Sequence, residues 1–207
     1  MPEDRKIFHG LLRSARWRED SVKSSGELVI AVGVRFLGTP YVPNTLEQGG
    51  KEELVINLRQ MDCFTFVENT VVLAGLIKAG KTSFADFAAS LMAVRYRNGL
   101  PDGYASRLHY FSDWLYDNRE KGFIKDMTRA TGGESFPKEI KFMTSNRDKY
   151  PALKREESFV RMLAVERACS GRALYHIPKA KLTICADEIK NGDLIAITTD
   201  IEGLDVV

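Results

Sequence analysis

Met61-Asp62-Cys63-Phe64-Thr65-Phe66-Val67-Glu68-Asn69 is the stretch on which the reading of this chain turns. It places a cysteine where an irregular segment becomes a helix. Asp62 suits an N-cap, because its carboxylate can accept a bond from a free backbone N–H of the first turn. Cys63 then falls at the first helical position. Downstream, Val67, Val71, Val72, Leu73, Leu76 and Ile77 recur at helical spacing and give the helix an apolar face to bury. Gly80 is the expected stop. A helix N-terminus favours negative charge, and the thiolate rather than the thiol is the nucleophile. From these residues alone a second reading stays open. Free cysteine is among the most buried residue types, and Cys63 is equally compatible with a small core residue.

The 207 residues carry 30 Lys and Arg against 28 Asp and Glu, a formal net charge of +2. That length reads as a single domain over residues 1–207, with about residues 1–24 as an N-terminal helical extension. The charge balance gives no argument for a nucleic-acid partner. No apolar run is long enough to be a transmembrane segment. The opening MPEDRKIFHGLLRSARWRED has no signal-peptide core and reads as a short amphipathic helix, with Ile7, Phe8, Leu11, Leu12 and Trp17 on one side. Three cysteines do not make a disulfide framework. Cys169 and Cys185 either pair in an oxidising compartment or stay as two buried thiols. There is no CxxC, HExxH, P-loop or dinucleotide fingerprint, so no metal and no cofactor is expected.

Along the chain, Ser24-Ser25-Gly26-Glu27 offers a helix cap, and Leu28 to Leu37 continues as a helix until Gly38-Thr39-Pro40-Tyr41 turns the chain. Glu52 to Leu58 alternates enough for a short strand. Thr82 or Ser83 caps a helix through about Val94, and Ser106 opens an aromatic-rich helix to about Arg119. Phe123–Thr131 and Lys138–Met143 read as two strands around Gly132-Gly133. A further helix runs from Pro151 to about Cys169. The remainder, Leu174–Pro178, Leu182–Cys185, Gly192–Ile197 and Leu204–Val207, reads as strands. Helices first and strands later argue for α+β. His9 is expected at the surface and His176 partly buried in a strand. His109 neighbours Arg107, Tyr110, Asp113 and Trp114, a cluster that suits a sugar or peptide surface and equally the wet side of an amphipathic helix.

Gly38-Thr39-Pro40-Tyr41, Asp62-Cys63 and Asn191-Gly192-Asp193-Leu194 together resemble, in order, the motifs of the NlpC-type cell-wall cysteine peptidases, which are papain-like. Where many members have Ser-Gly after the cysteine, this chain has Phe64-Thr65. Four further motifs resemble a bacterial subgroup of N-acetylmuramoyl-L-alanine amidases. They are Tyr41-x-x-x-Thr45-Leu46-Glu47, Asp62-Cys63-x-Thr65-Phe66-Val67-Glu68, Arg95-Tyr96-Arg97-x-Gly99 and Arg107-x-His109-Tyr110-x-x-Asp113-Trp114. The resemblance runs from about residue 25 to the end.

The resemblance implies a papain-like α+β fold, with the nucleophile helix among N-terminal helices packed on a C-terminal antiparallel sheet. It implies a peptidoglycan amidase that cuts between N-acetylmuramic acid and L-alanine of muropeptides through a cysteine thioester. A D-glutamyl–diamino acid endopeptidase and a non-catalytic muropeptide-binding module are the alternatives. Cys63 is the expected nucleophile and Tyr41 an oxyanion donor. Glu47, Asp62, Arg95, Arg107, His109, Tyr110 and Trp114 are expected at the substrate. A periplasmic or secreted location follows from where such substrates lie. In the family a base histidine follows the Gly-Asp-Leu strand, at about one residue past Val207. None of His9, His109 and His176 holds that position, so the chain is expected to be cut short, with part of its sheet missing. Loss of such an acid–base group costs about 10²–10⁴-fold in rate.

Overall fold

The structure, a computed structural model, describes residues 2–13, 23–47 and 49–206. The chain divides into two units. The first comprises Met1–Gln48, Glu53–Arg95 and Lys190–Leu194; the second comprises Gly49–Glu52, Tyr96–Ile189 and Ile195–Val207.

The first unit is a stack of helices. Helix α1 (Pro2–Arg13) buries Phe8 completely, and its ring meets those of Phe84 and Phe87 at 5.4 and 5.2 Å. Trp17, expected on the same side, lies outside the described residues. Helix α2 (Ser25–Gly33) begins with the expected capping box: the Glu27 N–H donates to Ser24 Oγ, and the Ser24 N–H donates to the Glu27 carboxylate. Helix α3 (Cys63–Lys78) packs between α2 and helix α4 (Phe84–Arg95), burying Val72, Leu73, Leu76 and Ile77. It stops where expected. Gly80 takes φ +66°, a conformation that spares it the Cβ penalty, and its N–H donates to Ile77 O.

The expected strand over Glu52–Leu58 is not formed. Its backbone groups find side chains instead of a neighbouring strand: Leu58 N–H donates to Asp4, and Val55 O accepts from Arg95. The Gly-Asp-Leu stretch returns to this unit by close backbone contact. A Cβ on Gly26 would lie 2.3 Å from Asn191 O, and one on Gly192 would lie 2.3 Å from Gly26 Cα.

The second unit is built on helix α5 (Phe111–Glu120), the short helix α6 (Phe142–Ser145) and helix α7 (Glu156–Ser170). Tyr104, Tyr110, Ile140, Met143, Leu153 and Met162 form its core. Strands β1 (Glu134–Ser135) and β2 (Tyr175–His176) pair antiparallel, with Glu134 opposite His176. The architecture is therefore α+β and mostly helical. The larger C-terminal sheet does not appear among the described residues. Phe123–Thr131 is turns and irregular chain, and Leu182–Cys185 is a single helical turn, α8. Ile195 and Ile197 alternate as in a strand but stand exposed without a ladder; a lone bridge joins Thr198 to Val206. Short apolar runs fit a helical turn as well as a strand, and periodicity alone does not separate them.

Candidate functional site

In the first unit, two motifs far apart in sequence meet at the N-terminus of α3. Met61 N–H donates to Pro40 O at 3.1 Å, and Val42 N–H donates to Met61 O at 3.0 Å, so Tyr41 lies beside Met61 in a parallel bridge. Asp62 then caps the helix: its Oδ1 accepts from Thr65 N–H at 2.8 Å, and its own N–H donates to Thr65 Oγ1 at 2.9 Å. Thr65 is thus the reciprocal half of a capping box, a role that its place in the departure Phe64-Thr65 did not reveal. Asp62 is occupied by this cap. Cys63, on the first turn, is exposed.

Tyr41 is 69% exposed. The negative charge of Cys63 pushes the phenol above its ordinary value; slight desolvation, the Asp62 carboxylate and a hydrogen bond with Cys63 act in the same direction. The phenol therefore keeps its proton and can donate it as a hydrogen bond. Glu47 is exposed at the end of the turn after Pro43, its N–H bonded to Asn44 O at 3.0 Å.

Arg95, expected at the substrate, is instead inside the first unit. It and Glu68 are each 2% exposed and joined at 2.8 Å, with Val55 O accepting a further bond from the guanidinium. A buried guanidinium needs such partners, because an unpaired charge in a dry place is very costly.

The second unit holds the remaining expected residues. Arg107 lies 3.0 Å from the Glu52 carboxylate, which also accepts from Tyr96 Oη at 2.9 Å. His109 Nε2 is 2.8 Å from Tyr104 O. A carbonyl only accepts, so Nε2 carries the hydrogen and Nδ1 is the acceptor nitrogen. Burial, followed by the Arg107 charge, holds the imidazole well below its ordinary value. Tyr110 and Trp114 are buried. Tyr110 Oη donates to Glu166 at 2.6 Å and accepts from Met143 N–H at 2.8 Å, while the Trp114 ring stacks on Phe111. These two are supports rather than open contacts.

An ion-pair cluster went unread in the sequence. Asp113 is fully buried and holds Arg97 at 2.6 Å and Arg172 at 2.6 Å. The Arg-Tyr-Arg motif and Asp113 were both visible, but Arg172 carried no pattern that tied it to them. Cys169 and Cys185 are both free and buried. Burial, then Asp113, pushes the Cys169 thiol up to about 12. Among the described residues no group of three His, Cys, Asp or Glu could hold a metal ion, and no helix is long and apolar enough to cross a membrane.

Solved structures resemble this chain. An N-acetylmuramoyl-L-alanine amidase from Bacteroides uniformis is 40% identical, with a TM-score of 0.82 over 88% of this chain and 78% of that one. A second structure under the same name and organism, also 40% identical, has a TM-score of 0.83 over 88% and 77%. A Legionella pneumophila protein, 21% identical with a TM-score of 0.66 over 100% and 77%, shares the fold. None of the curated proteins matches the chain. The model of the AmiA-like family, described as N-acetylmuramoyl-L-alanine amidase-like, matches residues 31–207, and the chain belongs to that family.

Proposed function

We propose that this protein is a peptidoglycan amidase that cuts the bond between N-acetylmuramic acid and L-alanine of muropeptides, with Cys63 as nucleophile. Membership of the amidase-like family supports the substrate class. The observation that carries the residue assignment is an exposed Cys63 on the first turn of a capped helix, with Tyr41 bridged to Met61 two residues before it.

In this reading the Cys63 thiolate attacks the lactyl carbonyl, forming a C–S bond. The C–N bond to L-alanine then breaks, and the amine leaves with a proton from the base histidine that the family pattern places after the Gly-Asp-Leu strand. Water hydrolyses the thioester and restores the thiol. Donors must meet the tetrahedral oxygen; the Cys63 N–H and the protonated Tyr41 hydroxyl are the proposed pair. His109 Nδ1 and Arg107 are proposed to contact substrate. The papain-like arrangement is inferred from the nucleophile's mount at the head of a buried helix. A periplasmic or extracellular site of action follows from the substrate.

The test is mass spectrometry of purified muropeptides treated with the protein in a form extended past Val207 to carry the expected base histidine, and with Cys63→Ala in the same form. Free sugar plus an intact peptide beginning with L-alanine, from the unmodified protein alone, is expected. Cleavage after the D-glutamyl residue would assign the endopeptidase reaction instead. Equal activity of the two proteins would end the nucleophile assignment, and binding without cleavage by the unmodified protein would favour a muropeptide-binding module.

A further inference from the structure

We propose that Asp4 is a positioning residue for the nucleophile, acting through the backbone of residues 57–62. Asp4 lies on α1, outside the residues matched by the family model, and is fully buried. Its Oδ1 accepts from Leu58 N–H at 2.9 Å and from Arg59 Nε at 3.3 Å. Leu58 is itself buried, so this N–H has a protein acceptor in place of water.

From Leu58 to Cys63 the segment is pinned nearly step by step. Asn57 Oδ1 accepts from Arg59 N–H at 3.1 Å and Gln60 N–H at 3.2 Å, closing the turn. Met61 bonds on both backbone sides to the chain flanking Tyr41, and Asn69 Nδ2 donates to its sulfur at 3.7 Å. Asp62 is the cap of α3. The anchor at the far end is firm. Phe8 holds α1 in the core, and Arg35 donates to Leu11 O near the helix C-terminus at 2.6 Å.

A buried carboxylate is an expensive way to make a helix pack, since an apolar residue would do so without desolvating a charge. Asp4 supplies what an apolar residue lacks, an acceptor for a segment that has no strand to pair with. Displacing a reacting group by about 1 Å can cost about 10²-fold in rate. Held in this way, Cys63 and Tyr41 keep their register.

The proposal takes from the amidase reading only the role of Cys63 in turnover. The experiment therefore has two readouts: kcat and KM on muropeptides, and the rate of Cys63 alkylation by iodoacetamide, which needs no turnover. Asp4→Ala is expected to lower kcat by about 10-fold or more with KM little changed, and to slow alkylation. Asp4→Asn, which keeps one acceptor oxygen, is expected to retain most of both. If Asp4→Ala lacks a native circular dichroism spectrum, Asn57→Ala decides, because it loosens the same turn from a side chain that is only partly buried. A folded Asp4→Ala with unchanged kcat and alkylation would overturn the proposal; so would an unchanged Asn57→Ala where that variant decides. Should the form extended past Val207 to carry the base histidine cleave no muropeptide, the amidase reading fails, and alkylation alone still judges Asp4.

Discussion

Glu68→Ala would leave the Arg95 guanidinium charged in a place that water does not reach. Removing one partner of a buried pair costs about 3–5 kcal/mol, so the urea midpoint should fall sharply, and more than for a substitution of exposed Glu47. Cys63 makes the opposite case, a side chain open to solvent. It is the exposed thiol, whereas Cys169 and Cys185 are buried and the Cys169 thiol is pushed up to about 12. Near neutral pH, iodoacetamide should therefore modify Cys63 first, and peptide mapping of a short reaction reads this directly. Mapping that found Cys169 or Cys185 labelled first would contradict the placement. Cys63 could be read from sequence because its context is local: a cap before it and a periodic helix after it. Arg95 could not. Its partner Glu68 and the Val55 carbonyl come from other turns of the chain, and only burial turns an apparent ligand donor into an internal tie.

Caps and stops are the element-scale features that sequence showed well. Ser24, Asp62, Ser83 and Gly80 all act where expected, because each depends on a few adjacent residues. Strands were shown badly. Glu52–Leu58 and Leu182–Cys185 have strand-like composition, but a strand exists only with a partner, and the partner is not in the local pattern. The contact between Gly26 and Gly192 was equally hidden, since glycine signals freedom in a turn as readily as close approach. Its energetic weight is testable. A methyl group at residue 26 would meet the Asn191 carbonyl at 2.3 Å, so the backbones must part. Gly26→Ala should cost about 1–3 kcal/mol, as overpacking does, and chemical denaturation would show it. Gly10→Ala, where a Cβ meets nothing within 4 Å, is the matched control and should be near neutral or slightly stabilising.

For the molecule as a whole, the titration of His109 sets an acid limit on stability. Burial holds its folded value well below the ordinary one, so the unfolded chain takes up a proton that the folded chain refuses. Stability is therefore lost as pH falls through about 6.5, and is fully present above it. Urea midpoints at about pH 7.5 and about pH 5.5 should differ, and His109→Gln should shrink the difference. A difference unchanged in that variant would assign the acid sensitivity elsewhere. The two units also interleave along the sequence, and the Gly-Asp-Leu turn rejoins the helix that begins at Ser25. On the ribosome, the helix bearing Cys63 emerges long before Gly192 exists to dock on Gly26. The nascent first unit thus waits, unfinished, through the synthesis of residues 96–189 of the second unit. Such a long closure is slow rather than forbidden, because loop entropy grows only with the logarithm of length. The close packing of Gly192 on Gly26 thus forms only after more than 160 further residues have been made, long after the helix that begins at Cys63.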